Sequence, residues 1–122
     1  MVIHQSAEDY LETILVLQKR LGSVRSIDIA NELNYSKPSV SIAMKKLRES
    51  GYITTKADGS IILEEKGLEV AKHVLGRHLT LIDLFLHLGV SQEIAEDDAC
   101  RVEHILHEET VEKIRVFLEK QD

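Results

Sequence analysis

Apolar residues recur along this chain at two spacings, and the order of the spacings predicts the order of the elements. Tyr10, Ile14 and Leu17 fall at helical intervals, with Leu11, Leu15 and Leu21 as a neighbouring stripe. Ser6 as a cap and Gly22 as a stop predict a first helix over about 7–21. A short second helix starts at a Ser26 cap, with Ile27, Ala30 and Leu33 on one face, and ends at the Asn34-Tyr35 turn. Ser36 caps a third helix whose first turn tolerates Pro38. Its inward stripe is Val40, Ala43, Met44 and Leu47, and Ser50-Gly51 ends it.

The period then changes. Tyr52-Ile53-Thr54-Thr55 and Ile61-Ile62-Leu63 read as two short strands, joined by a turn at Asp58-Gly59. Three helices followed by a hairpin is the layout of a winged helix-turn-helix, whose third helix enters the major groove. From Glu64 the period is helical again. Val70, Val74, Leu81, Leu84, Phe85 and Leu88 mark a long helix that stops at Gly89. Ser91 caps a further helix with Ile94, Cys100, Val102, Ile105 and Leu106 along it. Val111, Ile114, Val116, Phe117 and Leu118 mark the last. The fold class predicted is therefore mainly α: a winged helix-turn-helix over 1–63, then a helical domain over 64–122, with no Pro/Gly-rich linker between them.

Composition narrows the possibilities. The 122 residues are 43% hydrophobic, which is too apolar for a disordered chain and fits one domain or two small units sharing a core. No apolar run reaches the ~18 residues of a membrane span. Met1 to Ser6 lacks a basic segment followed by an apolar run, so a secretory signal is not expected. A single cysteine suits a reducing cytoplasm.

The formal charge of −6 argues at first against nucleic acid. Its distribution argues the other way. Residues 1–63 hold 8 Lys/Arg and 7 Asp/Glu, whereas residues 64–122 hold 7 and 14. Within 36–48 there are Lys37, Lys45, Lys46 and Arg48 and no acid. A local basic stripe, not the whole-chain charge, governs phosphate contact; a solvated helix face is the plainer account of such a cluster.

The chemistry-bearing residues lie in three places. Cys100, Glu103 and His104 stand at i, i+3 and i+4, which predicts one helix face carrying a thiolate, a carboxylate and an imidazole. All three are metal ligands, and burying the carboxylate is costly unless something pairs it. Asp9 and Glu12 are i, i+3 on the first helix, and His78 is in the middle of the long one. Each also has a plain structural account. Asp9 can join Ser6 in a capping box, Glu12 can face water, His78 can pair with Asp83, and Cys100 can be a small buried hydrophobe. His4, His73, His87 and His107 show no ligand spacing and read as surface or interface groups. There is no phosphate-cradling glycine loop, and Cys100 with His104 lacks the orienting third group of a nucleophilic site.

These residues together resemble the diphtheria-toxin-repressor family of iron- and manganese-dependent transcriptional regulators. The resemblance is carried by Ser6-Ala7-Glu8-Asp9-Tyr10-Leu11-Glu12, by Ser36-Lys37-Pro38-Ser39-Val40-Ser41, by Arg77-His78 and by Asp98-Ala99-Cys100-Arg101-Val102-Glu103-His104. It implies a metal-activated repressor, not an enzyme, in which Asp9, Glu12, His78, Cys100, Glu103 and His104 ligate the metal. It implies a homodimer built from the helices of 64–118, double-stranded DNA with a palindromic operator as partner, and no membrane or small-molecule substrate. Ser36, Pro38, Ser39 and Ser41 are then placed against DNA. Lys37, Lys45, Lys46, Arg48 and the wing residue Lys56 supply phosphate contacts.

The sequence departs from both branches of that family. Manganese-type members carry a carboxylate where this chain has Cys100, and iron-type members carry Met where it has Asp9. A second metal site of the iron branch needs an acid and a His where Ile82 and Glu96 stand. The short form, ending at Asp122, lacks the SH3-like domain of many members. The implied cofactor is Fe(II) or Mn(II), with Zn(II) or Co(II) able to bind in vitro. Two rival readings remain: a winged-helix regulator with a structural metal or a non-metal effector, and a small metal-dependent hydrolase.

Overall fold

The computed structural model describes residues 5–121, the side chain of Gln5 excepted. His4 and most of the segment read for a secretory signal lie outside them. The chain forms two compact units, one running to Lys72 and the other from His73.

In the first unit, α1 (Gln5–Leu21), α2 (Ser26–Leu33) and α3 (Lys37–Glu49) precede β1 (Ile53–Thr55) and β2 (Ile61–Leu63). The core forms where the helical stripes meet: Leu11, Ile14, Leu15 and Leu17 from α1, Ile29 and Ala30 from α2, and Val40, Met44 and Leu47 from α3 are buried. α1 packs on α2 and β2, and α2 on α3. The α2–α3 turn is sharp because Asn34 takes the left-handed conformation, φ 58°, which Asn tolerates better than most residues.

The hairpin is antiparallel, with Ile53 opposite Leu63 and Thr55 opposite Ile61. Ile53 is buried, whereas Thr54 and Thr55 are exposed. Ile61 N–H also donates to Val24 O at 2.7 Å, so the segment before α2 extends the hairpin. At the tip Gly59 takes φ +89°, closed to most side chains. Asp58 Oδ1 accepts from Ser60 N–H at 3.0 Å and from Ser60 Oγ at 2.6 Å. These bonds hold its carboxyl below the usual carboxylate range.

α4 (Glu65–His87) begins in this unit. Lys66 Nζ donates to Ser50 O at 3.1 Å and lies 4.1 Å over the Tyr52 ring. A Cβ on Gly67 would be driven into the backbone carbonyl of Tyr52. Only glycine lets the first turn of α4 approach the hairpin this closely.

In the second unit the rest of α4 is followed by α5 (Gln92–Val102) and α6 (Glu108–Glu119). Its buried apolar residues are few and mostly small: Val74, Leu81, Ala95, Ala99 and Val111. Leu79, Leu86, Leu88, Ile94, Ile105, Val116 and Phe117 are exposed. Among the described residues no helix is long and apolar enough to cross a membrane.

Several local expectations give way. Ser6 lies inside α1 and is not its cap. The cap of α2 is Arg25, not Ser26, and Asp28 Oδ2 accepts from Arg25 N–H at 2.9 Å. Ile27 is 39% exposed, and Ile29 takes the inward place. Ala30 of that stripe is buried as expected and Leu33 is half-buried, so only the place given to Ile27 shifts. Tyr52 precedes β1 and is not part of it.

Candidate metal centre and nucleic-acid interface

In the second unit three side chains converge. His78 comes from the middle of α4, Glu103 caps α5, and His104 follows in the next turn. His78 Nδ1 lies 2.7 Å from Glu103 Oε2, and His104 Nε2 lies 3.3 Å from Glu103 Oε1. The Glu103 side chain is fully enclosed and that of His104 only 2% exposed, whereas His78 is 21% exposed. A buried carboxylate therefore lies between two imidazoles.

The backbone explains the placement. α5 stops at Val102, one residue short of Glu103, so the expectation of a single helix carrying Cys100, Glu103 and His104 is corrected. Glu103 N–H still bonds to Ala99 O at 3.0 Å, which keeps Glu103 in helical register. Beyond it the chain turns, with Ile105 N–H bonded to Val102 O. Cys100, a turn earlier, is exposed, so it does not share the burial of Glu103. The pairing of His78 with Asp83 is also corrected: Asp83 Oδ1 lies 3.2 Å from His87 Nδ1. His73 Nε2 stands 3.2 Å from Glu108, and His73, His87 and His107 are on the surface as expected.

Sequence reasoning missed Arg77. Its Nη2 donates to Leu106 O, pinning the turn that carries Glu103 and His104 to α4, and its Nε is buried. The signal was the adjacency Arg77-His78, but the acceptor is a backbone carbonyl, which no side-chain pattern reports. In the first unit Asp9 and Glu12 are both half-buried on α1, one turn apart. Tyr10, beside Asp9, meets Tyr35 edge-on at 6.0 Å, and burial raises its phenol above the ordinary value, with Tyr35 and Asp9 adding to the shift.

The donor set suits a divalent cation. Glu103 Oε1 is buried and accepts no hydrogen bond among the described residues. A buried anionic oxygen without a donor is costly, and a cation removes that cost. Two imidazoles and a carboxylate fit first-row divalent ions.

The other surface is on the first unit. Ser36 caps α3, accepting at Oγ from Ser39 N–H at 3.2 Å and donating to Ser39 Oγ at 2.8 Å. Pro38 is in the first turn, where its missing N–H costs nothing. Lys37, Pro38, Ser39, Ser41, Lys45, Lys46 and Arg48 are all exposed, as is Lys56 at the hairpin. Arg48 Nη1 donates to Thr55 Oγ1 at 3.3 Å, linking the basic end of α3 to β1.

A mainly helical chain with a winged helix-turn-helix and a buried His-Glu-His cluster is the build of a metal-responsive transcription regulator. The comparisons agree. Residues 3–61 match the iron dependent repressor N-terminal DNA binding domain, and residues 64–122 match the iron dependent repressor metal binding and dimerisation domain. The chain belongs to the iron-dependent repressor family. An uncharacterised HTH-type transcriptional regulator of Methanocaldococcus jannaschii is 37% identical over 118 residues, covering 95% of this chain and 94% of that protein. The transcriptional regulator MntR of Escherichia coli O157:H7 is 35% identical, over 93% of this chain and 73% of its own. A manganese-dependent transcriptional repressor solved with manganese superposes with a TM-score of 0.85 at 25% identity, over 93% of this chain. IdeR of T. acidophilum gives a TM-score of 0.83 at 25% identity, over 98% of this chain. This chain spans about half the length of those two solved proteins, 52% and 55%. It is a metal-dependent DNA-binding transcriptional repressor with a dimerisation domain, and not an enzyme.

Proposed function

We propose that this chain senses Fe(II) or Mn(II) in the cytoplasm and represses metal-homeostasis genes by binding a palindromic operator as a homodimer. The observation that carries the reading is the buried Glu103 carboxylate between His78 and His104. The ligands proposed are Asp9, Glu12, His78, Cys100, Glu103 and His104, and the functional division falls at 63/64, ahead of α4. The ion, when bound, supplies two positive charges against the three carboxylates of Asp9, Glu12 and Glu103.

The chain's residues do the rest. Before loading, Asp9 and Glu12 repel each other one turn apart on α1, and the imidazoles of His78 and His104 offset part of the cost at Glu103. Asp9 and Glu12 belong to α1, the helix that packs on α2 of the DNA-binding unit. Fixing α1 therefore biases the placement of α3, and metal and DNA must strengthen each other's binding reciprocally. The basic side chains Lys37, Lys45, Lys46, Arg48 and Lys56 then neutralise phosphates, which makes affinity fall steeply with salt. The exposed apolar residues of the second unit, among them Leu86, Leu88 and Phe117, supply surface for the dimer. In metal-free conditions the acidic second half keeps non-specific DNA affinity weak.

The test is anaerobic binding to a duplex selected from a random library, measured with chelator and with Fe(II), Mn(II) or Zn(II). Binding that needs one of these ions supports the sensor. Indifference to chelator removes it in favour of a regulator with a non-metal effector.

A further inference from the structure

The recognition helix carries a large apolar side chain on its polar side. Val40, Met44 and Leu47 of α3 point into the core, whereas Ile42 is 59% exposed. Positions three and four apart share a helix face, so Ile42 shares its face with Pro38, Ser39, Lys45 and Lys46, all of them exposed. The only acid on α3 is Glu49, in its last position.

An isolated exposed isoleucine needs no explanation by itself. This one is bracketed by the hydroxyl and ammonium groups that bring the helix against a polyanion. Any duplex close enough for Ser39 and Lys45 to meet it also meets Ile42. The one apolar group that base pairs present in the major groove is the C5-methyl of thymine. Serine hydroxyls bond to either acceptors or donors and discriminate bases weakly. Ile42 is β-branched and stiff at χ1 in a helix, so it offers a methyl surface at a fixed place.

We propose that Ile42 reads a thymine methyl and is a base-specificity determinant of this repressor. The proposal rests on the DNA-binding reading above and adds the base edge that α3 recognises. Ile42 on the bound duplex excludes water from the methyl. A cytosine or a purine at that position leaves the isoleucine against a polar edge, and uracil leaves it against a gap.

The experiment uses the full chain with Mn(II) and a duplex enriched by it from a random library. Each thymine of that duplex is replaced singly by uracil, which removes the methyl and keeps the pairing. The expected result is one position, or its symmetry mate, where uracil weakens wild-type binding about three- to tenfold. Ile42→Ala, a change on an exposed face, is expected to bind thymine and uracil duplexes equally there. Ile42→Gln is expected to enrich a different base at that position in a fresh selection. The inference is overturned if every uracil substitution is neutral, or if Ile42→Ala keeps the full thymine preference. If no sequence is enriched at all, the DNA-binding reading itself fails and the inference falls with it.

Discussion

His78 Nδ1 and Glu103 Oε2 lie 2.7 Å apart although the residues are 25 positions apart in the chain. The pair joins α4 to the end of α5 and places a carboxylate inside the second unit. The contact holds the His78 ring in place through Nδ1. Burial makes this arrangement sensitive to change: a buried ion pair stripped of one partner leaves an uncompensated group.

Glu103→Gln keeps the shape and removes the charge. Metal affinity is expected to fall by about 100-fold or more, with loss of metal-dependent DNA binding. Titration calorimetry with Mn(II) measures it. Unchanged affinity would take Glu103 out of the ligand set.

His104→Ala is expected to abolish metal-dependent DNA binding and to leave the dimer intact, because the proposed dimer surface is formed by other side chains. Sedimentation checks the second half of that statement. A monomer would show that His104 supports the fold and does not act only as a ligand.

Cys100→Glu replaces a soft donor by a hard one at an exposed position. It is expected to shift activation toward Mn(II) relative to Fe(II). Equal relative activation by the two ions in the variant and the wild type, measured anaerobically on one duplex, would refute this.

Lys45→Ala is expected to weaken binding uniformly across duplex sequences and to lower the slope of log K against log salt by about one. A change confined to one base position would instead make Lys45 a base reader.

Gly67→Ala forces a Cβ into the Tyr52 carbonyl at the start of α4. Backbone cannot move aside as a flexible side chain can, so the cost is expected to be about 1–3 kcal/mol. Urea unfolding without metal reads it, and a stability within error of wild type would show that α4 shifts freely.

Elements that carry their own signal were legible in the sequence. The stripe Val40, Met44 and Leu47, the turn at Asn34, the stops at Gly22 and Gly89 and the hairpin around Gly59 all reappear in the structure. Local helix starts were not. Ser6 and Ser26 have the right chemistry for caps, but Ser6 lies within α1 and Arg25 caps α2, and Ile29 rather than Ile27 enters the core. Cap preferences differ by about 1 kcal/mol among good candidates, less than the packing of one isoleucine decides.

The sequence by itself determined the class of this protein: helical period, then strand period, then helical period, with a basic helix and six ligand-type residues in a recognisable order. That follows because period and local charge are properties of neighbours along the chain. Only the tertiary structure decided which groups meet. It gave Glu103 to His78 and Asp83 to His87, set Arg77 on the Leu106 carbonyl, buried Glu103 while leaving Cys100 exposed, and put Ile42 outward among lysines and serines. Those outcomes depend on where helices end and how they pack, and a one-residue difference in a helix end turns a side chain by about 100°.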